Sequence, residues 1–198
     1  TKKILDFNGI WKKLKSKAQP IKKIRVFDRH IVNKIDFMNP KKHNFLGYIV
    51  ENKYLKEILI KEINSIKNIL IVQNSLIKDI EINEDEVTVR TNTIKLNSSL
   101  LIASDGKNSF VRKKLKEPIF FKQYNHSALF MNLVHAQDHK NTAYEIFLKS
   151  GPLAILPMQS SLNKKFRSSV IWSHNHKFIN NIYSLDNKFL SSLVNEYI

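Results

Sequence analysis

Cysteine is absent from the 198-residue chain, which excludes disulfides and thiolate metal sites together. A cysteine-free chain suits the cytoplasm, although the absence alone does not prove that compartment. Glycine is nearly as scarce: Gly9, Gly47, Gly106 and Gly151 are the full set. They stand too far apart to form a glycine-rich phosphate loop of the G-x-G-x-x-G kind. With only five prolines besides, little material remains for flexible linkers, and there is no internal repeat or low-complexity tract. No apolar run approaches the roughly 20 residues that span a bilayer, and the first residues lack a signal peptide's long apolar block.

Acidic residues are the next deficit, with 17 Asp and Glu against 33 Lys and Arg, a formal charge of +16. Such an excess suits a polyanionic partner, either nucleic acid or an anionic membrane face. Arginine, however, contributes only five of the basic residues (Arg25, Arg29, Arg90, Arg112 and Arg167), and the lysines are scattered. Base-edge recognition favours arginine's rigid fork, and a nucleic-acid site concentrates its charge on one face. Abundant asparagine and isoleucine beside lysine fit a lineage whose codons drift toward these residues. No nucleic-acid partner is therefore expected, whereas weak attraction to anionic lipid needs only net charge near a surface. At 42% hydrophobic the chain can bury a sizeable core, as one domain or two small ones.

What is present is a sequence that changes period. Residues 3–17 (KILDFNGIWKKLKSK) read as a short amphipathic helix with Ile10, Trp11 and Leu14 on one side, and Pro20 blocks its continuation. Residues 21–28 and 31–38 resemble two strands around Arg29-His30, with a break at Asn39-Pro40. Residues 51–67 (ENKYLKEILIKEINSIK) carry Leu55, Ile58, Leu59, Ile63 and Ile66 at helical spacing. The period then falls to two. Ile80 and Ile82, a turn at Asn83-Glu84-Asp85, Val87 and Val89, then Ile94 and Leu96 make a β-meander. Strands follow at 127–135, 143–149, 152–157 and 168–173. Residues 186–198 return to helical spacing through Phe189, Leu190, Leu193, Val194 and Tyr197. Strand-rich blocks thus flank a central α/β block, a layout of two interleaved layers.

The meander leads into LLIASDGKNSFVRKKL, residues 100–115. The run from Leu100 to Ala103 reads as a buried strand that stops at Ser104-Asp105-Gly106. A carboxylate at the carboxyl end of such a strand, followed by glycine, lies where α/β sheets bind ligands. Glycine admits close backbone approach to a phosphate, and Asn108 or Ser109 can cap a helix whose N-terminus favours anions. Asp105 would then accept hydrogen bonds from ribose hydroxyls or from water around a pyrophosphate. The plain alternative is a strand-turn-helix in which Asp105-Gly106 only makes the turn. On spacing alone that turn is the more ordinary reading, since Asp-Gly pairs are common.

The same stretch resembles the DG motif of the class A flavoprotein monooxygenases, L-[IV]-G-[AC]-D-G-x-x-S-x-x-R. Asp105, Gly106, Ser109 and Arg112 fall at its positions, and Ala103 and Ser104 stand where glycine and alanine or cysteine are usual. GYIVENKYLKEIL (47–59) resembles the G-Y-x-V-E-N-x-x-L-x-x-x-L stretch of the ubiquinone-biosynthesis hydroxylases within that class. AYEIFLKSGPLAILPM (143–158) resembles their A-Y-E-R-F-L-x-x-G-P-L-A-L-L-P-L segment, with Ile146 in place of arginine. SSVIWS (168–173) and ILDFNGIWKKLKSKAQPI (4–21) resemble two more of their segments. These matches run in order over nearly the whole chain.

The resemblance implies an α+β and α/β fold of the p-hydroxybenzoate hydroxylase kind. Residues 1–18 and 47–117 would form part of the FAD-binding domain, 19–46 and 118–176 an antiparallel sheet over the substrate, and 177–198 the start of a C-terminal helical segment. It implies an FAD-dependent monooxygenase in which NAD(P)H reduces FAD and a flavin hydroperoxide hydroxylates a polyprenylated phenol, with no protein nucleophile and no metal. Asp105, Gly106, Ser109 and Arg112 would bind the cofactor. Asn52 would face the flavin or, equally well, cap the helix that follows it. The GPLAILP segment would run beside the flavin with Pro157 fixing a turn, while Met131, Phe147 and Leu156 could line a greasy pocket or simply be core. Association with a membrane surface, at the inner face of the cell membrane, and with a ubiquinone-biosynthesis complex would follow. The likeness covers the middle of such an enzyme, without its G-x-G-x-x-G opening or its later G-D segment, so FAD binding by this chain alone is expected to be weak or nil. The rival reading is a non-catalytic remnant or accessory subunit. The pairs His135/His139 and His174/His176 have ligand-like spacing, but the first straddles a strand end and the second reads as an exposed loop.

Overall fold

Gly9 breaks the first helical stretch in two. In the computed structural model, which describes residues 1–28, 33–40, 45–160 and 165–196, α1 (Lys2–Phe7) ends at Asn8 and Gly9. Their N–H groups donate back to the carbonyls of Ile4 and Asp6. Gly9 takes φ +70°, a conformation that glycine adopts freely, and α2 (Ile10–Leu14) runs on into a 3-10 turn at Lys15–Lys17. The single helix expected over 3–17 is therefore two, although Ile10, Trp11 and Leu14 are buried as their spacing implies. Four short strands follow: β1 (Ala18–Ile21), β2 (Lys23–Asp28), β3 (Lys34–Met38) and β4 (Gly47–Val50). Arg29 and His30 lie outside the described residues. β1 pairs antiparallel with β4, and Trp11 packs edge-on to Tyr48 with ring centroids 4.6 Å apart. Leu55 and Ile58 of α3 (Asn52–Asn64) join that cluster. α3 stops short of Ile66, which is exposed.

The chain divides into two compact units, one of Thr1–Ile63 with Tyr124–Ile198 and one of Asn64–Gln123. The smaller unit is the expected meander, β5 (Ile77–Ile82), β6 (Val87–Thr91) and β7 (Lys95–Ser98), followed by α4 (Phe110–Leu115). Ile80, Val87 and Val89 close on Val111, with Ile77 and Leu101 at the margin. Lys114 of α4 reaches Asp79 of β5 at 2.5 Å. The run at 100–103 is not the buried strand its composition suggests. Leu100 and Ile102 are 69% and 76% exposed, and only Leu101 turns to the cluster. A segment apolar on both faces is stable as a strand when sheet neighbours and covering layers are supplied. Among the described residues no strand pairs with it.

The larger unit is built on β8 (His126–His135), β9 (Thr142–Leu148), β10 (Gly151–Met158) and β11 (Phe166–Asn175). With β2 and β3 they form a six-stranded sheet of order β3-β2-β9-β10-β11-β8. Every pairing is antiparallel except β2 with β9. The turn from β9 to β10 needs its glycine: Gly151 sits at φ +138°, and a Cβ there would stand 2.5 Å from the Ser173 carbonyl oxygen. Strand alternation separates the sheet's two faces. One face carries Leu129, Ile146, Leu153, Ile155, Val170 and Trp172 against Ile179 and Ile182 of α5 (His176–Tyr183) and Val194 of α6 (Asn187–Asn195). That is the main core. Met131 packs toward it. The other face carries Phe130, Val134 and Phe147, all at least half exposed, with Leu156 and Ile171 half-buried. α5 replaces the loop expected around His174 and His176, because the Asn175 side chain accepts the Phe178 N–H at 2.8 Å and caps a helix. Asp186 caps α6 in the same way through Phe189.

Candidate functional site

Asp105, Gly106, Ser109 and Arg112 come together in one corner at the start of α4. Gly106 has φ +82°, with nothing within 4 Å of where a Cβ would be, so its outer side is open to an approaching group. The Asp105 carboxylate accepts the N–H groups of Phe110 at 2.7 Å and Val111 at 3.2 Å. Ser109 caps the helix by accepting the Arg112 N–H at 3.0 Å. The Ser109 hydroxyl, and then these backbone donors, hold the Asp105 carboxyl below the usual carboxylate range. The Arg112 guanidinium donates to the Lys107 carbonyl. The corner is thus a doubly capped turn in which the exposed Asp105 carboxylate stands among the cations Lys107 and Arg112. Asp105 is positioned by the very helix N-terminus that an anion would otherwise use.

Asn52 opens α3 in the other unit. It is exposed, without a side-chain hydrogen bond among the described residues, and lines a shallow groove with Leu55, Leu59 and Ile60. Its neighbour Glu51 is the residue the motif reading passed over. Arg167 of β11 grips Glu51 in a fork, Nη1–Oε1 at 2.9 Å and Nη2–Oε2 at 3.2 Å, with both side chains more than four-fifths buried. The guanidinium holds the Glu51 carboxyl below its ordinary range. This pair ties the start of α3 to the sheet. Four residue positions before the pair's arginine lie outside the description, and nothing in local spacing links position 51 to 167.

The open sheet face holds two polar features that sequence could not reveal. Ser169 is buried beside Leu156, and its Oγ has no hydrogen-bond partner among the described residues. Glu145, between Val26 and Ala154, has its carboxyl pushed up by burial. Both follow from tertiary surroundings rather than from residue type. The histidine pairs are engaged in hydrogen bonds. His135 bonds the Ser168 hydroxyl and the Gln137 carbonyl, and His139 bonds the Met158 carbonyl and the Asn141 N–H. His174 accepts the Asn175 N–H and stacks on Phe178 at 3.9 Å, while His176 meets Ser127. Among the described residues no three His, Asp or Glu side chains gather as a metal site.

No protein-family model matches the chain. The fold is p-hydroxybenzoate hydroxylase-like, as its likeness to solved structures shows. PqsL of Pseudomonas aeruginosa, described as a probable FAD-dependent monooxygenase, superposes with TM-score 0.72 at 13% identity, over 91% of this chain and 50% of its own. A flavoprotein/dehydrogenase from Cytophaga hutchinsonii superposes with TM-score 0.65 at 11% identity, over 89% and 45%. Among curated proteins the relatives are ubiquinone hydroxylases, so the likeness read from the segments is borne out. Ubiquinone hydroxylase UbiL of Rhodospirillum rubrum is 26% identical over 92% of this chain and 42% of its own length. Ubiquinone hydroxylase UbiM of Neisseria meningitidis is 22% identical over 100% and 43%. The mitochondrial ubiquinone biosynthesis monooxygenase COQ6 of Danio rerio is 26% identical over 94% and 40%. The chain spans about two-fifths of the length of these relatives.

Proposed function

We propose that the chain is the central portion of an FAD-dependent monooxygenase that hydroxylates a polyprenylated phenol in ubiquinone biosynthesis. The observation that carries this reading is the open sheet face. Phe130, Phe147, Leu156 and Ile171 offer apolar walls, and the buried, unpartnered Ser169 hydroxyl lies beside Leu156. A phenol ring with a hydrocarbon tail needs just this mixture. Bound FAD would supply the oxygen-transfer chemistry, through the flavin hydroperoxide that the family resemblance implies, with NAD(P)H as reductant. The residues present fit one edge of that cofactor. The open outer side of Gly106 would admit close approach of its diphosphate, and Asp105, Ser109 and Arg112 frame the corner. Asn52 is the fifth residue assigned toward it. The sheet's own contribution is to exclude water from the ring and hold it. In this reading residues 1–18 and 47–117 serve the cofactor and 19–46 and 118–176 the substrate. The net charge of +16 favours a membrane surface, where such a substrate resides, and a biosynthetic complex there. No helix among the described residues is long and apolar enough to cross a membrane.

A second reading, a non-catalytic remnant or accessory subunit, is favoured by the exposed Leu100 and Ile102 and by four glycines that make no phosphate loop. FAD titration followed by absorbance and fluorescence separates the two. The chain alone should bind FAD weakly or not at all. Fusion of a βαβ unit carrying G-x-G-x-x-G should give a yellow, stoichiometric complex that is weakened by Asp105→Ala. A fusion that folds but takes up no flavin would leave the accessory reading.

A further inference from the structure

We propose a second binding site, separate from the hydroxylase reading: a pocket for a phosphate group at the junction of β2 and β9. Lys140 at φ +48° and Asn141 at φ +56° are consecutive non-glycine residues in the left-handed region. Each costs on the order of 1 kcal/mol, and such strain persists only where the surroundings enforce it. Here they do so from several sides. Asp138 accepts the Lys140 N–H at 2.7 Å, His139 Nδ1 accepts the Asn141 N–H at 3.1 Å, and the Gln19 side-chain amide donates to Asn141 Oδ1. The Asn141 carbonyl in turn accepts the Lys22 N–H at 2.9 Å. His139 is fixed as well, its Nε2–H donating to the Met158 carbonyl at 3.1 Å. The turn is preorganised.

What it presents is positive charge. A cavity of about 430 Å³ has Lys22, Lys23, Arg25 and Lys140 in its wall. Two carboxylates answer these four cations. Asp36 grips Arg25 in a fork at 2.7 Å and 2.7 Å and stands 3.6 Å from Lys23, so one carboxylate is shared by two of them. Asp138 is engaged with the Lys140 N–H. Lys22 and Lys140 have no ion pair among the described residues, and both line this cavity. Tyr144 also lines the wall. Ammonium groups bind phosphate as point charges, and a concave surface with excess charge selects a compact, multiply charged anion over chloride. The cavity is larger than a bare phosphate needs, which leaves space for an organic moiety. Lys23, Arg25, Thr142 and Tyr144 alternate along their strands with Ile24, Val26, Ala143 and Glu145, so this pocket opens on the sheet face opposite Phe147. The same phosphate chemistry is offered by a soluble phosphomonoester and by an anionic lipid headgroup.

Calorimetric titration of the full chain with inorganic phosphate, at constant ionic strength, tests the site. Saturable binding is expected, weakened at least about tenfold in Lys22→Gln/Lys140→Gln and unchanged in the equally discharged Lys95→Gln/Lys188→Gln. All four lysines are exposed, and far-UV circular dichroism checks the fold; Lys140→Gln alone gives the same direction if the double variant misfolds. Absence of saturation, or equal weakening in both double variants, would overturn the proposal. A second arm uses glycerol phosphate and phosphatidylcholine vesicles containing phosphatidylglycerol. Loss of vesicle binding confined to the Lys22/Lys140 variant upholds the site as a headgroup site. Unchanged vesicle binding with loss of glycerol phosphate binding upholds it as a site for a soluble phosphomonoester.

Discussion

The two units of this chain solve the burial problem to different degrees. The six-stranded sheet closes one face with nine buried apolar residues drawn from four strands and two helices, Leu153, Val170 and Val194 among them at 0% exposure. The meander unit closes on four buried residues and leaves Leu100 and Ile102 in solvent. At about 25 cal/mol per Å² of apolar surface, the second arrangement forgoes several kcal/mol that sheet neighbours would recover. The lesson is one of self-sufficiency: the sheet carries its own core, whereas the unit bearing Asp105 and Gly106 leaves apolar side chains uncovered.

The sharpest way to break that contrast is truncation in each core. Trp172→Ala should lower the stability of the sheet unit by about 3–5 kcal/mol, and Val89→Ala that of the meander by only about 1–2 kcal/mol, in urea melts followed by circular dichroism. Equal losses would refute the contrast. A middle-sized effect is expected at the tie between α3 and the sheet. Because Arg167 depresses the Glu51 carboxyl, the pair's stabilisation is present above the unfolded-state value and is lost as pH falls through the lower folded-state value. Glu51→Gln should cost about 1–2 kcal/mol at neutral pH and flatten the acid limb of the stability profile. An unchanged acid limb would mean that the pair contributes nothing. The smallest effect sharpens the picture most: Leu100→Asn with Ile102→Asn should change stability by less than about 0.5 kcal/mol in this chain. In the fusion carrying the glycine loop, the same change should be destabilising, read by the same melts.

Much of the architecture was legible because its signals are long. β8, β10 and β11 run for eight to ten residues, and their alternation separates a core face from an open one. β1 and β4 escaped notice because four residues hold only two alternations, and β1 carries a proline. α5 was hidden by a histidine, a lysine and two asparagines where an apolar stripe was sought, yet Asn175 is a good cap. The run at 100–103 misled in a more instructive way. Composition states the surroundings that a segment prefers and cannot say whether they are supplied. The four residues of the DG corner were picked out by the motif resemblance, not by spacing alone, whereas Ser169, Glu145 and the grip of Arg167 on Glu51 arise only when distant segments meet.

The parallel pairing of β2 with β9 has a kinetic consequence. About 120 residues separate Lys23 of β2 from its partner Thr142, and the whole meander unit lies between them. Closing a loop of that span is entropically costly and contributes to a high contact order. During synthesis β2 must therefore wait for its β9 partner until the meander unit and β8 have been made.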